Sequence, residues 1–162
     1  MNIKEIIDKD GNKIKIHTHI GVYALIVEND NILLIDKVTG PYDGKLDLAG
    51  GSFEFGETPE KALIRELNEE VGIIPTEYEL FNTDSVIADW NYKNTLIKVH
   101  HIGIFYKVKS YKGKIKGKIK IDKINDDSKG SSFHNIKNLK KENLSLITIL
   151  ELEKLGYNIN EE

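Results

Sequence analysis

The segment GETPEKALIRELNEEVG, residues 56–72, contains the signals for both ends of a short helix and so limits how the surrounding chain can fold. Thr58 is a favourable N-cap residue, and Pro59 follows it at the first helical position, where its missing backbone N–H costs nothing. Gly72 stands where a glycine commonly ends a helix. The sequence therefore predicts a helix from Pro59 to Val71.

This helix has an apolar face and an acidic face side by side. At 3.6 residues per turn, the apolar face is formed by Leu63, Leu67 and Val71. The neighbouring face carries three glutamates, Glu66, Glu69 and Glu70. Like charges at this spacing repel by roughly 0.2–0.5 kcal/mol per pair on an exposed helix. The adjacent Arg65 is expected to balance only one of them.

The residues alone leave two interpretations of the acidic face. It is either a solvated helix surface, which is the commoner case, or a site for hard divalent cations. Mg²⁺ prefers carboxylate and carbonyl oxygens and is usually shared with substrate phosphates. The preceding loop AGGSFEFGE, residues 49–57, favours the cation site. Its glycines allow backbone carbonyls to approach the helix, and Glu57 adds another carboxylate.

Most of the remaining chain predicts β-strands. KIKIHTH is β-like, and the apolar runs GVYALIVE and NILLIDKV predict a hairpin that turns in ENDN. EYELFNTDSVIAD and TLIKVHHIGIFYKV predict two long strands joined by the aromatic turn WNYKN. KGKIKGKIKID predicts a strand with one solvent-exposed face. SLITILELEKLG, at the end of the chain, predicts an amphipathic helix that ends at Gly156. These elements predict one α/β domain, residues 1–162, with a mixed sheet between helices.

Composition excludes several classes of function. A net charge of -3 gives no general attraction to nucleic acid or to an anionic membrane. The absence of cysteine excludes disulfides, thiolate metal sites and a cysteine nucleophile. No apolar run approaches the roughly 20 residues that span a bilayer, and the N-terminus has no signal-peptide core. We therefore expect a cytoplasmic protein.

The stretch GSFEFGETPEKALIRELNEEVGI, residues 51–73, resembles the signature of the Nudix (MutT-like) hydrolase family. That signature is glycine, five residues, glutamate, seven residues, then Arg-Glu-aliphatic-x-Glu-Glu-x-Gly-aliphatic. The chain meets its fixed positions at Gly51, Glu57, Arg65, Glu66, Leu67, Glu69, Glu70, Gly72 and Ile73. The resemblance implies an α/β/α sandwich and hydrolysis of a nucleoside diphosphate linked to another moiety.

The resemblance also implies roles for individual residues. The Mg²⁺ ligands, with Mn²⁺ able to substitute, would be Glu57, Glu66, Glu69, Glu70 and the carbonyl of Gly50. Glu69 and Glu70 would be the principal ligands, and Glu66 a ligand or the base that orients the attacking water. Arg65 would hold the glutamates by ion pairing. Catalysis would therefore depend on Glu66, Glu69 and Arg65.

The chain departs from the family pattern in two places. Ala49 stands where proline often precedes the diglycine, which removes no ligand. Many members also take a carboxylate from a later strand or loop, yet this chain has no Asp or Glu between Asp89 and Asp122. The remaining candidates are Asp122, Asp126 and Asp127, of which the last two lie in a predicted loop, KINDDSKG.

Aromatic residues and histidines outside the motif are further candidates for substrate binding. Trp90 or Tyr92 would stack a nucleobase, although an equally good reading is a hydrophobic plug over a sheet edge or a dimer contact. His100 or His101 would contact a phosphate, with a partly buried or edge position as the alternative.

Two other sequence patterns each allow a functional and a purely structural interpretation. His17 and His19 have the spacing of a transition-metal pair, but without a third ligand they are expected to be partly buried or edge residues. The lysine-rich stretch, residues 112–122, is expected to be a solvated strand edge, with a phosphate-attracting rim or RNA binding as alternatives.

The motif leaves the substrate open among nucleoside triphosphates, nucleotide sugars and dinucleoside polyphosphates. The downstream proline of ADP-ribose-cleaving members is missing, since Pro75 is the last proline of the chain, and no coenzyme A pattern precedes the motif. Two rival functions are a Nudix-fold module that binds nucleotides without cleaving them and an RNA-directed pyrophosphohydrolase. A homodimer agrees with the family, whereas nucleic acid and membrane partners are not expected.

Overall fold

One eight-stranded mixed sheet runs through residues 1–117 and 128–161, which the computed structural model describes. The strands are β1 (Lys4–Ile7), β2 (Lys13–Leu25), β3 (Val27–Glu28), β4 (Asn31–Lys37), β5 (Leu46–Ser52), β6 (Ile73–Tyr92), β7 (Thr95–Gly113) and β8 (Ser128–Asn135). The α-helices are α1 (Pro59–Glu66) and α2 (Leu146–Lys154), and turns of 3₁₀ helix lie at Gly40–Tyr42, Ile136–Asn138 and Lys141–Asn143.

The strand order is β3-β4-β5-β2-β7-β6, with β1 added to β2 and β8 added to β4. β2 and β7 are parallel, whereas the other named strand pairs are antiparallel. The parallel pair places distant parts of the chain side by side, from Lys15 opposite Ile97 to Leu25 opposite Lys107. This arrangement confirms the predicted mixed sheet.

The sheet has a hydrophobic core on each face, because successive side chains of a strand point to opposite sides. On one face, Val22 and Ala24 of β2 belong to the core that contains Leu63 of α1. On the other face, Tyr23 and Leu25 belong to the core that contains the α2 residues Ile147 and Leu152. The predicted α/β/α sandwich is thus confirmed.

The motif helix forms over the predicted residues but changes its geometry halfway. Thr58 Oγ1 accepts a hydrogen bond from Lys61 N at 3.3 Å, as expected of an N-cap. After Glu66 the chain continues as a π-helical turn, Leu67–Val71. Gly72, at φ +84°, donates to Leu67 O at 3.0 Å and ends it. Such turns widen the helix locally and are common at functional sites.

The predicted hairpin turns are confirmed, but the first hairpin is shorter than predicted. Asn29-Asp30 and Lys93-Asn94 have positive φ angles, as two-residue hairpin turns require. However, only β3 pairs with β4 at the first turn, and the run GVYAL pairs with β5 and β7 instead. The reason is that residues 21–25 are buried on both faces and form an interior strand, which needs a neighbour on each side.

The lysine-rich stretch was predicted as a strand, and for residues 114–117 this is wrong. These residues follow the end of β7 and dock on the π turn, where Lys116 N donates to Val71 O at 2.7 Å. The rest of the stretch lies outside the described residues, as do Asp122, Asp126 and Asp127. In the parts of the chain that are described, no helix is long and apolar enough to cross a membrane.

Candidate active site

A cleft of about 620 Å³ opens between the sheet, the π turn and the 3₁₀ turn at Gly40–Tyr42. Glu66, Glu69 and Glu70 line one part of it together with the backbone of Gly50. Trp90 lines the same cleft from the end of β6. The structure therefore brings five of the predicted site residues to one surface.

Two glycines of β5 allow close packing, Gly51 against the motif helix and Gly50 against β2. A Cβ atom on Gly51 would lie 2.6 Å from Oε2 of Glu66, so a side chain there would displace the carboxylate. A Cβ atom on Gly50, where φ is +145°, would lie 2.0 Å from the carbonyl oxygen of Val22. The Gly50 N–H donates to Oε2 of Glu70 at 3.0 Å. Close backbone approach thus explains why glycine occupies both positions.

Arg65 forms hydrogen bonds with three carboxylates of the acidic group. Its Nε and Nη2 donate to the two carboxylate oxygens of Glu57, at 2.7 and 2.8 Å, and its Nη1 donates to Glu66 at 2.7 Å and to Glu69 at 3.3 Å. Nη2 also reaches the carbonyl oxygen of Ser52 at 2.8 Å. Arg65 therefore contacts three glutamates, because its planar guanidinium offers five donors in several directions, although its single charge balances only one of them.

The glutamates differ in charge state because their surroundings differ. Hydrogen bonds from Arg65 lower the pKa of Glu57 to about 2, so Glu57 is ionised. Burial raises the pKa of Glu70 to about 8, against the opposing hydrogen bond from Gly50. Burial also raises the pKa of Glu66, although Arg65 lowers it. A cation beside Glu66 and Glu70 would stabilise their ionised forms.

The oxygen ligands in the cleft are of the types that bind a hard cation, but the side chains do not surround a single point. In the described ranges no three His, Asp or Glu side chains are positioned to hold a metal ion. Arg65 occupies both oxygens of Glu57 and one of Glu66. Glu69 has a side chain that is 57% exposed and keeps the freedom to turn. Carboxylate oxygens beside a backbone carbonyl are the ligands that Mg²⁺ takes.

Two of the predicted substrate-binding residues do not line the cleft. Of the two adjacent histidines of β7, His101 lines the cleft, whereas His100 belongs to the opposite face of the strand. The Tyr92 ring contacts the Trp90 ring, with 4.7 Å between centroids, but Tyr92 lines a separate surface depression beside β1. Alternation along β7 decides which histidine faces the cleft, whereas Trp90 and Tyr92 share a face of β6 and differ in their position along the strand.

The two N-terminal histidines line the cleft but are held by hydrogen bonds. His17 Nδ1 lies 3.0 Å from Asn2 O, and His19 Nε2 lies 3.2 Å from Tyr23 Oη. Neither belongs to a three-residue metal-binding group among the described residues.

Sequence reasoning missed several residues that line the cleft: Tyr23, Lys37, Tyr42 and Asp47. Asp47 is buried and accepts hydrogen bonds from Leu48 N at 2.8 Å and Ser145 Oγ at 2.6 Å. Burial raises its pKa. A carboxylate inside the apolar strand KLDLAGG was a usable signal. Tyr42 gave none, because it lies in a short 3₁₀ turn that only the tertiary structure places over His101.

Comparison with protein families and curated proteins supports the motif. The model of a family described as the NUDIX domain matches residues 17–146. An ADP-ribose pyrophosphatase from Methanocaldococcus jannaschii is 31% identical over 141 residues, covering 85% of this chain and 76% of that protein. An 8-oxo-dGTP diphosphatase from Escherichia coli is 46% identical over 55 residues, covering 33% of this chain and 43% of that protein.

Solved structures share the fold. A MutT NUDIX hydrolase from Burkholderia pseudomallei superposes with a TM-score of 0.69 at 24% identity, over 86% of this chain and 98% of that chain. A MutT protein from Bacillus halodurans gives a TM-score of 0.60 at 18% identity, over 88% of this chain and 84% of that chain. At these identities the likeness establishes the architecture alone.

Proposed function

The chain belongs to the Nudix family and is a Nudix hydrolase, and on that premise we propose that it is a Mg²⁺-dependent pyrophosphohydrolase. It would cleave the diphosphate linkage of a nucleoside diphosphate attached to another moiety. One observation carries the proposal. Glu66, Glu69 and Glu70 line a single cleft with the Gly50 backbone, while Arg65 holds two of them through hydrogen bonds.

The cation would be held by Glu69 and Glu70 together with the carbonyl of Gly50, and Glu66 would be a further ligand or the general base. Mg²⁺ would serve, and Mn²⁺ would substitute for it. When bound, the ion would neutralise negative charge that develops on the phosphate oxygens. Support comes from Glu70, whose one hydrogen bond within the described residues is from the Gly50 N–H. A half-buried carboxylate so placed gains from a cationic partner.

Glu57 has a different place in the proposed site. Arg65 binds both of its oxygens, and the Glu54 N–H also donates to it at 2.8 Å. Glu57 would become a metal ligand only by releasing one of these bonds. We propose that its main role is to anchor Arg65, which in turn orients Glu66 and Glu69.

Hydrolysis requires a group that takes a proton from water. Water adds to one phosphorus, the bond from that phosphorus to the bridging oxygen breaks, and the proton leaves the attacking water. Glu66 suits this role because its carboxylate lines the cleft beside the proposed cation ligands. Arg65 holds its Oε1 at 2.7 Å, and the second oxygen has no hydrogen-bond donor in the described parts of the chain.

The substrate is expected to extend along the cleft from the glutamates. We place the diphosphate beside Glu66, Glu69 and Glu70 and the nucleobase against Trp90, which is half-buried at the cleft wall. The relatives are named for ADP-ribose and for 8-oxo-dGTP. The first match spans most of the chain, whereas the missing downstream proline argues against ADP-ribose. Both compounds therefore belong in a substrate panel.

The test is product release from nucleoside-diphosphate-linked compounds with Mg²⁺, Mn²⁺ or EDTA. Glu69→Gln removes a proposed ligand, and Glu79→Gln, at an exposed glutamate paired with Lys109, is the matched control. We expect metal-dependent turnover that falls by at least a hundredfold in Glu69→Gln and stays within twofold of wild type in Glu79→Gln. If no compound is cleaved while a nucleotide binds wild type and Glu69→Gln equally, the binding-module alternative replaces the enzyme.

A further inference from the structure

Four polar aromatic side chains form a hydrogen-bonded chain along the sheet floor of the cleft: His19, Tyr23, His101 and Tyr42. His19 Nε2 lies 3.2 Å from Tyr23 Oη, Tyr23 Oη lies 2.6 Å from His101 Nε2, and His101 Nδ1 lies 3.1 Å from Tyr42 Oη. Tyr23, His101 and Tyr42 are each less than 5% exposed. The proposed hydrolytic chemistry uses none of them.

Glycines in β2 and β7 set the position of Tyr23 within this hydrogen-bonded chain. A Cβ atom on Gly21 would lie 2.4 Å from Tyr23 Oη, so the Tyr23 ring lies back over Gly21 on its own strand. Gly21 pairs with Gly103 on β7, whose Cβ atom would in turn lie 2.3 Å from the Phe105 ring. The Tyr23 and Phe105 rings stack with 5.7 Å between centroids. Two paired glycines therefore set the position of the Tyr23 hydroxyl.

The tautomer of His101 sets which atom donates at each step. In the tautomer protonated at Nδ1, Tyr23 O–H donates to His101 Nε2 at 2.6 Å, and Nδ1–H donates to Tyr42 Oη at 3.1 Å. His19 Nε2 then donates to Tyr23 Oη at 3.2 Å. We take His101 in this tautomer, in which the three hydrogen bonds run in one direction from His19 to Tyr42.

This direction leaves the Tyr42 hydroxyl proton available. Among the described residues, Tyr42 Oη is hydrogen-bonded to His101 alone, and Tyr42 lines the cleft. Burial lowers the pKa of His101 to about 3, so the imidazole is neutral. Burial and the nearby Asp47 raise the pKa of Tyr42, so the phenol is protonated. The proton of this neutral phenol can be donated to an uncharged acceptor of the substrate, such as a carbonyl oxygen or an unprotonated ring nitrogen.

We propose that Tyr42 donates a hydrogen bond to the nucleobase of the substrate, at a carbonyl oxygen or an unprotonated ring nitrogen, and so contributes to base selectivity. Tyr23 and His101 act as positioning residues that keep the Tyr42 proton directed away from His101. The inference rests on the proposed function for the location of the nucleotide. It places base recognition at Tyr42 in addition to stacking on Trp90, which belongs to the same face of the sheet as His101.

The test compares Tyr42→Phe with wild type, because this change removes the hydroxyl and keeps the ring. Tyr111→Phe is the matched control, since its hydroxyl donates to the exposed Glu28 and Tyr111 does not line the cleft. Calorimetry without metal measures the binding of the four common nucleoside monophosphates and of ribose 5-phosphate, which has no base. We expect Tyr42→Phe to weaken the best-bound nucleotide about tenfold, the factor that corresponds to about 1.4 kcal/mol. Ribose 5-phosphate should bind both proteins equally.

Tyr23→Phe tests the positioning role. Without the Tyr23 hydroxyl nothing fixes the tautomer of His101, so the ring also populates the form that is protonated at Nε2 and accepts the Tyr42 hydroxyl at Nδ1. The same nucleotide should then lose affinity although Tyr42 is present. In steady-state kinetics both variants should raise KM for that base about tenfold and leave kcat within twofold of wild type.

The proposal is overturned if folded Tyr42→Phe and Tyr23→Phe bind every nucleoside monophosphate within twofold of wild type. It is also overturned if ribose 5-phosphate weakens by the same factor, or if wild type binds no nucleoside monophosphate at millimolar concentration. Failure of the proposed hydrolase has a different signature, which is the absence of metal-dependent turnover by wild type. In that case the binding comparison still decides the role of Tyr42.

Discussion

Arg65 binds both carboxylate oxygens of Glu57, at 2.7 and 2.8 Å, across eight residues of sequence. The same guanidinium reaches Glu66 and Glu69. Arg65 therefore holds glutamates of the loop and of the helix as one group, in which Glu66 and Glu69 line the cleft and Glu57 does not. This geometry makes Arg65 the residue whose replacement should disturb the group most.

Replacing Arg65 by lysine keeps the positive charge but removes the planar fork, which a single ammonium cannot reproduce. We expect kcat to fall by about ten- to a hundredfold, because Glu66 and Glu69 lose their common anchor. Steady-state kinetics with saturating Mg²⁺ measures the change, and circular dichroism checks the fold. A folded Arg65→Lys variant with kcat within threefold of wild type would contradict the positioning role.

The two motif glycines should respond differently to alanine. At Gly51 the added methyl meets the end of the Glu66 side chain, so the fold should survive while activity falls at least tenfold. At Gly50 the methyl meets the Val22 carbonyl oxygen, and φ is +145°, so the backbone itself must move. Thermal unfolding should show a much larger loss of stability for Gly50→Ala than for Gly51→Ala. Equal losses in both variants would argue against this account.

Glu70 should make the metal-free protein less stable as the pH rises. Its pKa is about 8 in the folded state and near 4.5 in the unfolded state, so the folded protein binds more protons between these values. The stabilising contribution is complete below about pH 4.5 and is lost as the pH rises to 8. Glu70→Gln keeps an acceptor for the Gly50 N–H and should gain stability relative to wild type between pH 5 and pH 8. Urea unfolding in EDTA measures the difference, and a difference that does not change with pH would refute the prediction.

His101 should have the opposite dependence on pH. Its pKa is about 3 in the folded state and near 6.5 in the unfolded state, so the unfolded protein binds more protons in between. The stabilising contribution is present above pH 6.5 and is lost as the pH falls, by about 2 kcal/mol at pH 5. His101→Gln should remove this part of the pH dependence. His100→Gln, on the opposite face of β7, serves as the control and should keep it.

The sequence determined the elements whose signals are local. Thr58, Pro59 and Gly72 mark the motif helix, because caps act within one turn of the residues that they stabilise. Asn29-Asp30 and Lys93-Asn94 mark hairpins, because the turn conformation depends on the turn residues themselves. The spacing of Glu66, Glu69 and Glu70 placed them on one surface because helical periodicity is short-ranged.

Tertiary structure decided which distant residues meet. His101 faces the cleft and His100 does not, because the pairing register of β2 with β7 sets the face of every side chain on the strand. Tyr23 and His101 are 78 residues apart in sequence and touch only through that pairing. The reach of Arg65 and the raised pKa of Glu70 likewise follow from the packing of the π turn on β5. Local patterns carry no information about these contacts, since burial and register are properties of the assembled sheet.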